Sequence, residues 1–291
     1  MIGILIIGCG DIGCRVAKLW QEEGASVSAM ARSSRSARRL EPLGILPVGG
    51  DLDDPASLRG LPVNGSILYY LAPPPDTGET DTRMRAFLAS LPPGNDPSRF
   101  VYMSTTGVYA DMRGGWVTEE TPANPETDRG KRRLDAENSV LSWGRTRNVP
   151  VVILRVSGIY GPGRIPVERV RAGAPVLSRD EAPFTNRIHS EDLARICVAA
   201  AKRGKGGSVY NVSDGNPGTI TQYYNAVADR MGLPRPPVVT MAEARRTMSE
   251  AMLSYLSESK RVDSRKMREE LGITLRYPDL ASGLAEEDVS G

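Results

Sequence analysis

Ile4-Leu5-Ile6-Ile7-Gly8-Cys9-Gly10-Asp11-Ile12-Gly13 is an apolar run that breaks into glycines and then into helical periodicity. The run lacks polar/apolar alternation, as a parallel strand buried on both faces requires. Ile12, Val16, Leu19 and Trp20 follow at i, i+4, i+7 and i+8, giving the next helix one apolar face, and Gly24 ends it. The glycines between strand and helix fit GxGxxG. In that pattern Gly8 makes the tight turn, Gly10 lets a pyrophosphate approach the backbone, and Gly13 lets the helix pack closely. Cys9, Asp11 and Ile12 complete the loop, where the helix N-terminus adds N–H donors and partial positive charge. Packing alone would also place glycines there. The order strand, loop, helix, strand favours a dinucleotide site.

Working outward, residues 27–31 predict the second strand, whose end selects between cofactors. An acid there would bind the ribose 2′-hydroxyl of NAD, whereas an arginine accommodates the 2′-phosphate of NADP. The chain has Arg32, followed by Ser33, Ser34, Arg35, Arg38 and Arg39. These groups suit a phosphate, so NADP is expected rather than NAD; the alternative is a solvated helix face. Residues 45–48 predict a third strand, followed by a helix opened by Pro55. Residues 67–71 predict a fourth, running through Leu71 and Ala72 into the rigid Pro73-Pro74-Pro75 loop at the edge of the crevice. After a helix over 83–91, a fifth strand at 100–103 delivers Ser104, Thr105 and Thr106 to the same edge.

Residues 111–127 read as loop, 128–144 as a charged helix and 151–156 as the sixth strand. Strands alternating with helices imply an α/β fold with a doubly wound parallel sheet, of Rossmann type. The remainder is less regular. It holds a short helix at 167–171, a helix capped by Ser190, a strand at 208–212, a helix at 221–231 and a last helix from Ser264. No linker marks an independent second domain.

Composition narrows the function classes. A net charge of +2 over 291 residues gives no field for nucleic acid. No apolar run reaches membrane-spanning length, and the apolar start has neither a basic region before it nor a cleavage site after it, so a cytoplasmic protein without membrane partners is expected. Three cysteines and one histidine provide neither a disulfide framework nor a metal cluster. Cys9 is read as a small residue tolerated beside glycines rather than a reactive thiol.

The sequence resembles the extended short-chain dehydrogenase/reductase family, the NAD(P)-dependent epimerase/dehydratase group, over nearly its whole length. The similarity rests on the glycine loop, Gly50-Asp51-Leu52, Ser104-Thr105-Thr106-Gly107-Val108-Tyr109, the block from Leu154 to Arg164, Arg187-Ile188-His189-Ser190-Glu191-Asp192, and Tyr210-Asn211-Val212. The resemblance implies a Rossmann domain over 1–158, completed by about 184–213, and a smaller substrate-binding lobe from 159–183 and 214–291. It implies that Asp51 and Leu52 flank the adenine and that Thr105 is the catalytic Ser/Thr. It further implies a tyrosine acid/base four residues before a lysine that holds the ribose. Lys131 takes the lysine position, which puts Thr127 where tyrosine stands. A threonine hydroxyl cannot be poised near neutral pH as a proton carrier. Tyr109 and Tyr160 are substitutes, although both are read first as structural or substrate contacts.

Two functions follow. One is an NADP-dependent oxidoreductase or epimerase/dehydratase-like enzyme for a small carbonyl, hydroxylated or nucleotide-sugar substrate, with a non-standard acid/base. The other is an inactive NADP(H)-binding sensor. The resemblance also implies a homodimer through the helix after Asp128, a face that Arg132, Arg133, Glu137 and Arg145 leave ambiguous.

Overall fold

The computed structural model describes residues 2–286. Seven strands form one parallel sheet: β1 (Gly3–Ile7), β2 (Ser26–Ala31), β3 (Leu46–Gly49), β4 (Ile67–Tyr70), β5 (Arg99–Thr105), β6 (Val151–Val156) and β7 (Val209–Val212). Their order is β7-β6-β5-β4-β1-β2-β3. The order reverses between β1 and β4, the switch point outside which such sheets bind ligands. β1 ends there in the glycine loop, followed by helix α1 (Asp11–Glu22). Helices α2 (Ser34–Leu40), α3 (Thr82–Ser90) and α4 (Asp128–Arg147) follow the next strands.

The sheet divides two apolar layers. Ile4 and Ile6 face Val16, Trp20 and the long helix Ser190–Arg203, while Leu5 and Ile7 face Phe87, Phe100 and Val140. Burial on both faces explains why β1, after Gly3, and β6, up to Arg155, read as apolar runs. A third apolar cluster, built on Tyr160, Leu177, Tyr224, Val227 and Leu284, lies in the segments expected to form the smaller lobe.

Several local expectations change. Pro55 opens a single 3₁₀ turn capped by Asp54 rather than an α-helix. His189, not Ser190, caps the helix that follows: its Nδ1 accepts from the N–H of Glu191, since Ser190 is already helical. The segment before α4 is not all loop. Trp116–Val117 pairs in parallel with Arg261–Val262, and Gly158–Tyr160 with Arg187–His189. Each pair is a separate two-stranded ribbon outside the seven-stranded sheet. Helices Met241–Thr247, Glu250–Leu256 and Leu280–Ala285 were not read from the sequence, being one or two turns each. The last five residues of the predicted lobe lie outside the described residues.

Just past β7, burial raises the carboxyl of Asp214 to about 7, against the N–H of Asn216 and the charge of Arg187, which pull it down. The folded state therefore holds a proton that the unfolded chain releases at about pH 4. Its contribution is fully present below that value and is lost as pH rises through about 7. Asp214→Asn should become progressively more stable than wild type over this window. Urea midpoints on either side of it check this, and an equal gap at both ends would refute it.

Candidate functional site

The three loop glycines have three separable reasons. Gly8 has φ +90°, and a Cβ on it would stand 2.5 Å from the backbone nitrogen of Ala72, so the turn and the close approach of β1 to β4 both require glycine. A Cβ on Gly13 would press on Gly8 O at 3.1 Å and Cys9 Sγ at 3.3 Å, so helix packing requires it. A Cβ on Gly10 would meet nothing within 4 Å. Gly10 is also the N-cap of α1 and offers no side-chain acceptor. The first-turn N–H groups of α1 therefore have no side-chain cap and open onto free space, an arrangement that fits a pyrophosphate.

Around this opening, Gly8, Cys9, Gly10, Leu71, Ala72 and Pro73 line one side of a groove, and Met30, Arg32, Ser33, Ser36, Arg39 and Leu40 the other. Arg32 stands where the sequence places it. Arg39, not Arg35, is the second guanidinium: Ser36 and Arg39 share the groove face of α2, one turn apart, and Arg35 lies exposed off that face. Arg39 Nη2 donates to Cys9 O at 2.8 Å. Ser33 caps α2, accepting from the N–H of Ser36. Asp51 and Leu52 do not line the groove. Asp51 accepts from the N–H of Asp53 within a turn, and Leu52 is buried in the core.

Asp11 would set a negative charge beside a phosphate. Arg15 and Arg164 bond its two carboxylate oxygens at 2.8 and 2.7 Å and, against the opposing effect of burial, hold its carboxyl below the usual range. Arg164 comes from the block after Tyr160, so the pair also ties that loop to the phosphate loop. The more acidic thiol is Cys14, lowered to about 7 by its hydrogen bond with Cys9 and by the charge of Arg39. Cys9 is buried.

A second cavity, of about 210 Å³, opens at the ends of β5 and β6. Thr105, Thr106, Ser157 and Arg129 line it from the Rossmann side, with Phe184, Glu258 and Lys260 opposite. Thr105 Oγ1 accepts from the N–H of Gly107 at 3.1 Å, which leaves its proton free to donate. Lys260 is buried, donating to Tyr109 O at 2.8 Å and to Glu258 at 2.7 Å. Sequence reasoning missed it because its strand, Arg261–Val262, is two residues long.

Thr127 and Lys131 are not gathered with Thr105. Thr127 is the N-cap of α4, and its hydroxyl accepts from the N–H of Gly130. Lys131 reaches Glu79 at 2.6 Å on the surface side and does not line the cavity. Helical geometry gives the reason: Lys131 shares its heptad position with the exposed Asn138 and Arg145, while Arg133 lies in line with the buried Glu137, Val140 and Gly144. Arg133 is turned toward the sheet instead, bonding Met103 O at 3.1 Å, Tyr102 Oη at 3.3 Å and Ala72 O at 3.4 Å. Gly130 fixes that facing. A Cβ on it would stand 2.6 Å from Gly107 O, so α4 is seated against the strand end that carries Thr105.

Tyr109 and Tyr160 are both buried. The hydroxyl of Tyr109 donates to Asn211 Oδ1 at 2.8 Å and accepts from Arg155 at 3.0 Å. That of Tyr160 donates to Asp279 O. Burial raises both phenols. Neither lines the cavity or the groove. Beneath the cavity Arg155 also grips Glu137, which accepts from Ser104 at 2.5 Å. With Glu137 and Arg132 turned inward, α4 presents less charge to a partner than its sequence implies.

Among the described residues there is no group of acids, histidines or cysteines that could hold a metal, and no helix long and apolar enough to cross a membrane. A family model described as the NAD dependent epimerase/dehydratase family matches residues 4–213. Protein YeeZ of Escherichia coli K12 is 30% identical over 184 residues, which cover 62% of this chain and 59% of that protein. The chain thus spans about three fifths of the length of the curated relatives it matches. A functionally unknown conserved protein from Silicibacter pomeroyi is 30% identical, with TM-score 0.83 over 98% of this chain and 97% of that one. The dTDP-glucose 4,6-dehydratase of Bacillus anthracis, solved with NAD, has TM-score 0.78 at 20% identity, over 98% and 95% of the two chains, a likeness of fold alone.

Proposed function

The chain belongs to the NAD dependent epimerase/dehydratase family, and on that premise we propose that it is an NADP-dependent oxidoreductase or epimerase/dehydratase-like enzyme acting on a small carbonyl or hydroxylated substrate. The observation that carries this reading is the continuity of the site: the groove at the glycine loop and the cavity at Thr105 lie along one edge of one sheet, joined by Ala72 and Arg133. The division into a Rossmann domain and a lobe over 159–183 and 214–291 belongs to the same proposal.

The residues fit the dinucleotide. The first-turn N–H groups of α1 and the open backbone at Gly10 hold its pyrophosphate. Arg32, Ser36 and Arg39 hold the 2′-phosphate, and Arg133 takes the place expected of Lys131 at the ribose. When bound, the dinucleotide supplies hydride transfer. Thr105 donates its hydroxyl to the substrate oxygen. Lys260 lines the same cavity with its ammonium already held by Glu258 and Tyr109 O. Glu258 keeps that ammonium paired while it is buried. Neither Tyr109 nor Tyr160 takes part.

Arg32→Asp should weaken NADPH binding at least tenfold, since a charge-assisted hydrogen bond contributes about 1.5–3 kcal/mol. NADH should then bind as well as NADPH or better. Equal affinity of wild type for the two would refute the NADP assignment. In the same calorimetric series Arg133→Ala should weaken both dinucleotides, while Lys131→Ala leaves both unchanged. The opposite result would restore Lys131 as the ribose ligand. Turnover is tested by following nicotinamide absorbance over a carbonyl panel, and tight binding without turnover on any member would favour the sensor.

A further inference from the structure

The cavity beside Thr105 holds a charged group and a buried hydroxyl that take no part in the reaction proposed above. Arg129 lies in the first turn of α4 and is exposed at the cavity rim. Among the described residues it has neither an ion-pair nor a hydrogen-bond partner. Deeper in, Ser157 is 6% exposed, and its hydroxyl, also lining the cavity, has no hydrogen-bond partner. A buried hydroxyl without a partner in the protein is free to bond a group that enters the cavity. Lys260 and Glu258 neutralise each other at 2.7 Å, so the lining carries one uncompensated positive charge, that of Arg129.

We propose that this cavity takes a small carboxylic acid, with Arg129 holding the carboxylate while Ser157 joins Thr105, already placed on the substrate oxygen above, in holding the oxygen on the neighbouring carbon. The proposal names the substrate class within the enzyme reading above and rests on it. Guanidinium and carboxylate match as two parallel hydrogen bonds, which fixes the orientation of a small molecule. A single free cation balances the single charge of a carboxylate, whereas a phosphate monoester brings nearly two negative charges at neutral pH. Size points the same way. About 210 Å³ lies below the 300–1,000 Å³ of sites that enclose drug-sized ligands, and the wall opposite Arg129 includes the ring of Phe184, suited to a short carbon skeleton.

The test is calorimetric and independent of turnover. The whole protein is first titrated with NADP alone. It is then saturated with NADP and titrated with pyruvate, 2-oxobutyrate and acetoacetate, each beside its methyl ester, and with dihydroxyacetone phosphate. At least one acid should bind about tenfold or more tighter than its ester, as expected for a charge-assisted pair. Arg129→Gln should remove that advantage while leaving NADP affinity and ester binding as in wild type, and Arg129→Lys should recover part of it. Ser157→Ala should weaken acid and ester alike. Esters that bind as well as acids, a panel in which nothing binds, or a phosphate that binds tighter than every acid would each overturn the proposal. So would an Arg129→Gln variant that keeps its preference for acids. Failure to bind NADP in the first titration would instead refute the reading on which the proposal rests, so the two failures are distinguishable.

Discussion

Replacing Glu137 with glutamine should cost the protein about 3–5 kcal/mol of stability, the cost of leaving a buried charge without its partner. Glu137 and Arg155 are 1% and 6% exposed, and they meet through the Arg155 Nε and Nη2 donors. Glutamine keeps the shape and one acceptor for Ser104. It removes the charge that Arg155 cannot recover from water. Arg155 also donates to Tyr109, and Tyr109 to Asn211 on β7, so α4, β5, β6 and β7 share one polar network beneath the cavity. The double variant Glu137→Leu, Arg155→Met should be markedly more stable than Glu137→Gln, because an apolar pair of similar volume removes both desolvation penalties together. Urea midpoints of the three proteins decide it. A single variant within 1 kcal/mol of wild type would mean that water reaches Arg155.

The strands were legible because each holds a short apolar stretch, nearly continuous in β1, β4 and β6, and the first helix because its apolar face repeats cleanly. The network around Glu137 was not legible. A charged residue in a charged helix looks solvated until its heptad partners are known. The same helix misled the placement of the cation. Lys131 was given the lysine position by resemblance, and Thr127 followed from it, whereas Gly130, Ala136, Val140 and Gly144 mark the inward face of α4, and Arg133 rather than Lys131 lies toward it. The α2 helix offered three arginines after Arg32, and only the face shared with Ser36 picks out Arg39. Lys260, Glu258 and Ser157 needed the fold itself, since strand pairs of two or three residues carry no periodicity to read.

Gly10→Val should fold as wild type and lose the dinucleotide. Its backbone, with φ −82°, suits any residue, and the added side chain meets no protein atom near its Cβ, so the urea midpoint should stay within about 1 kcal/mol of wild type. The same open space is where a pyrophosphate must approach the first-turn N–H groups of α1, and valine fills it. Two charge-assisted hydrogen bonds at about 1.5–3 kcal/mol each amount to at least roughly a hundredfold in affinity, so calorimetry should find NADPH binding reduced by that factor or more. Gly8→Ala provides the contrast. Its methyl would lie 2.5 Å from the backbone of Ala72 at a positive φ, so it should destabilise the protein whether or not any ligand is present. Separate outcomes, with Gly8→Ala losing stability and Gly10→Val losing binding, would locate the phosphate at this loop. If Gly10→Val kept wild-type affinity, the glycines would be packing features only, and the groove lined by Arg32 and Arg39 would have to bind its ligand without the helix N-terminus.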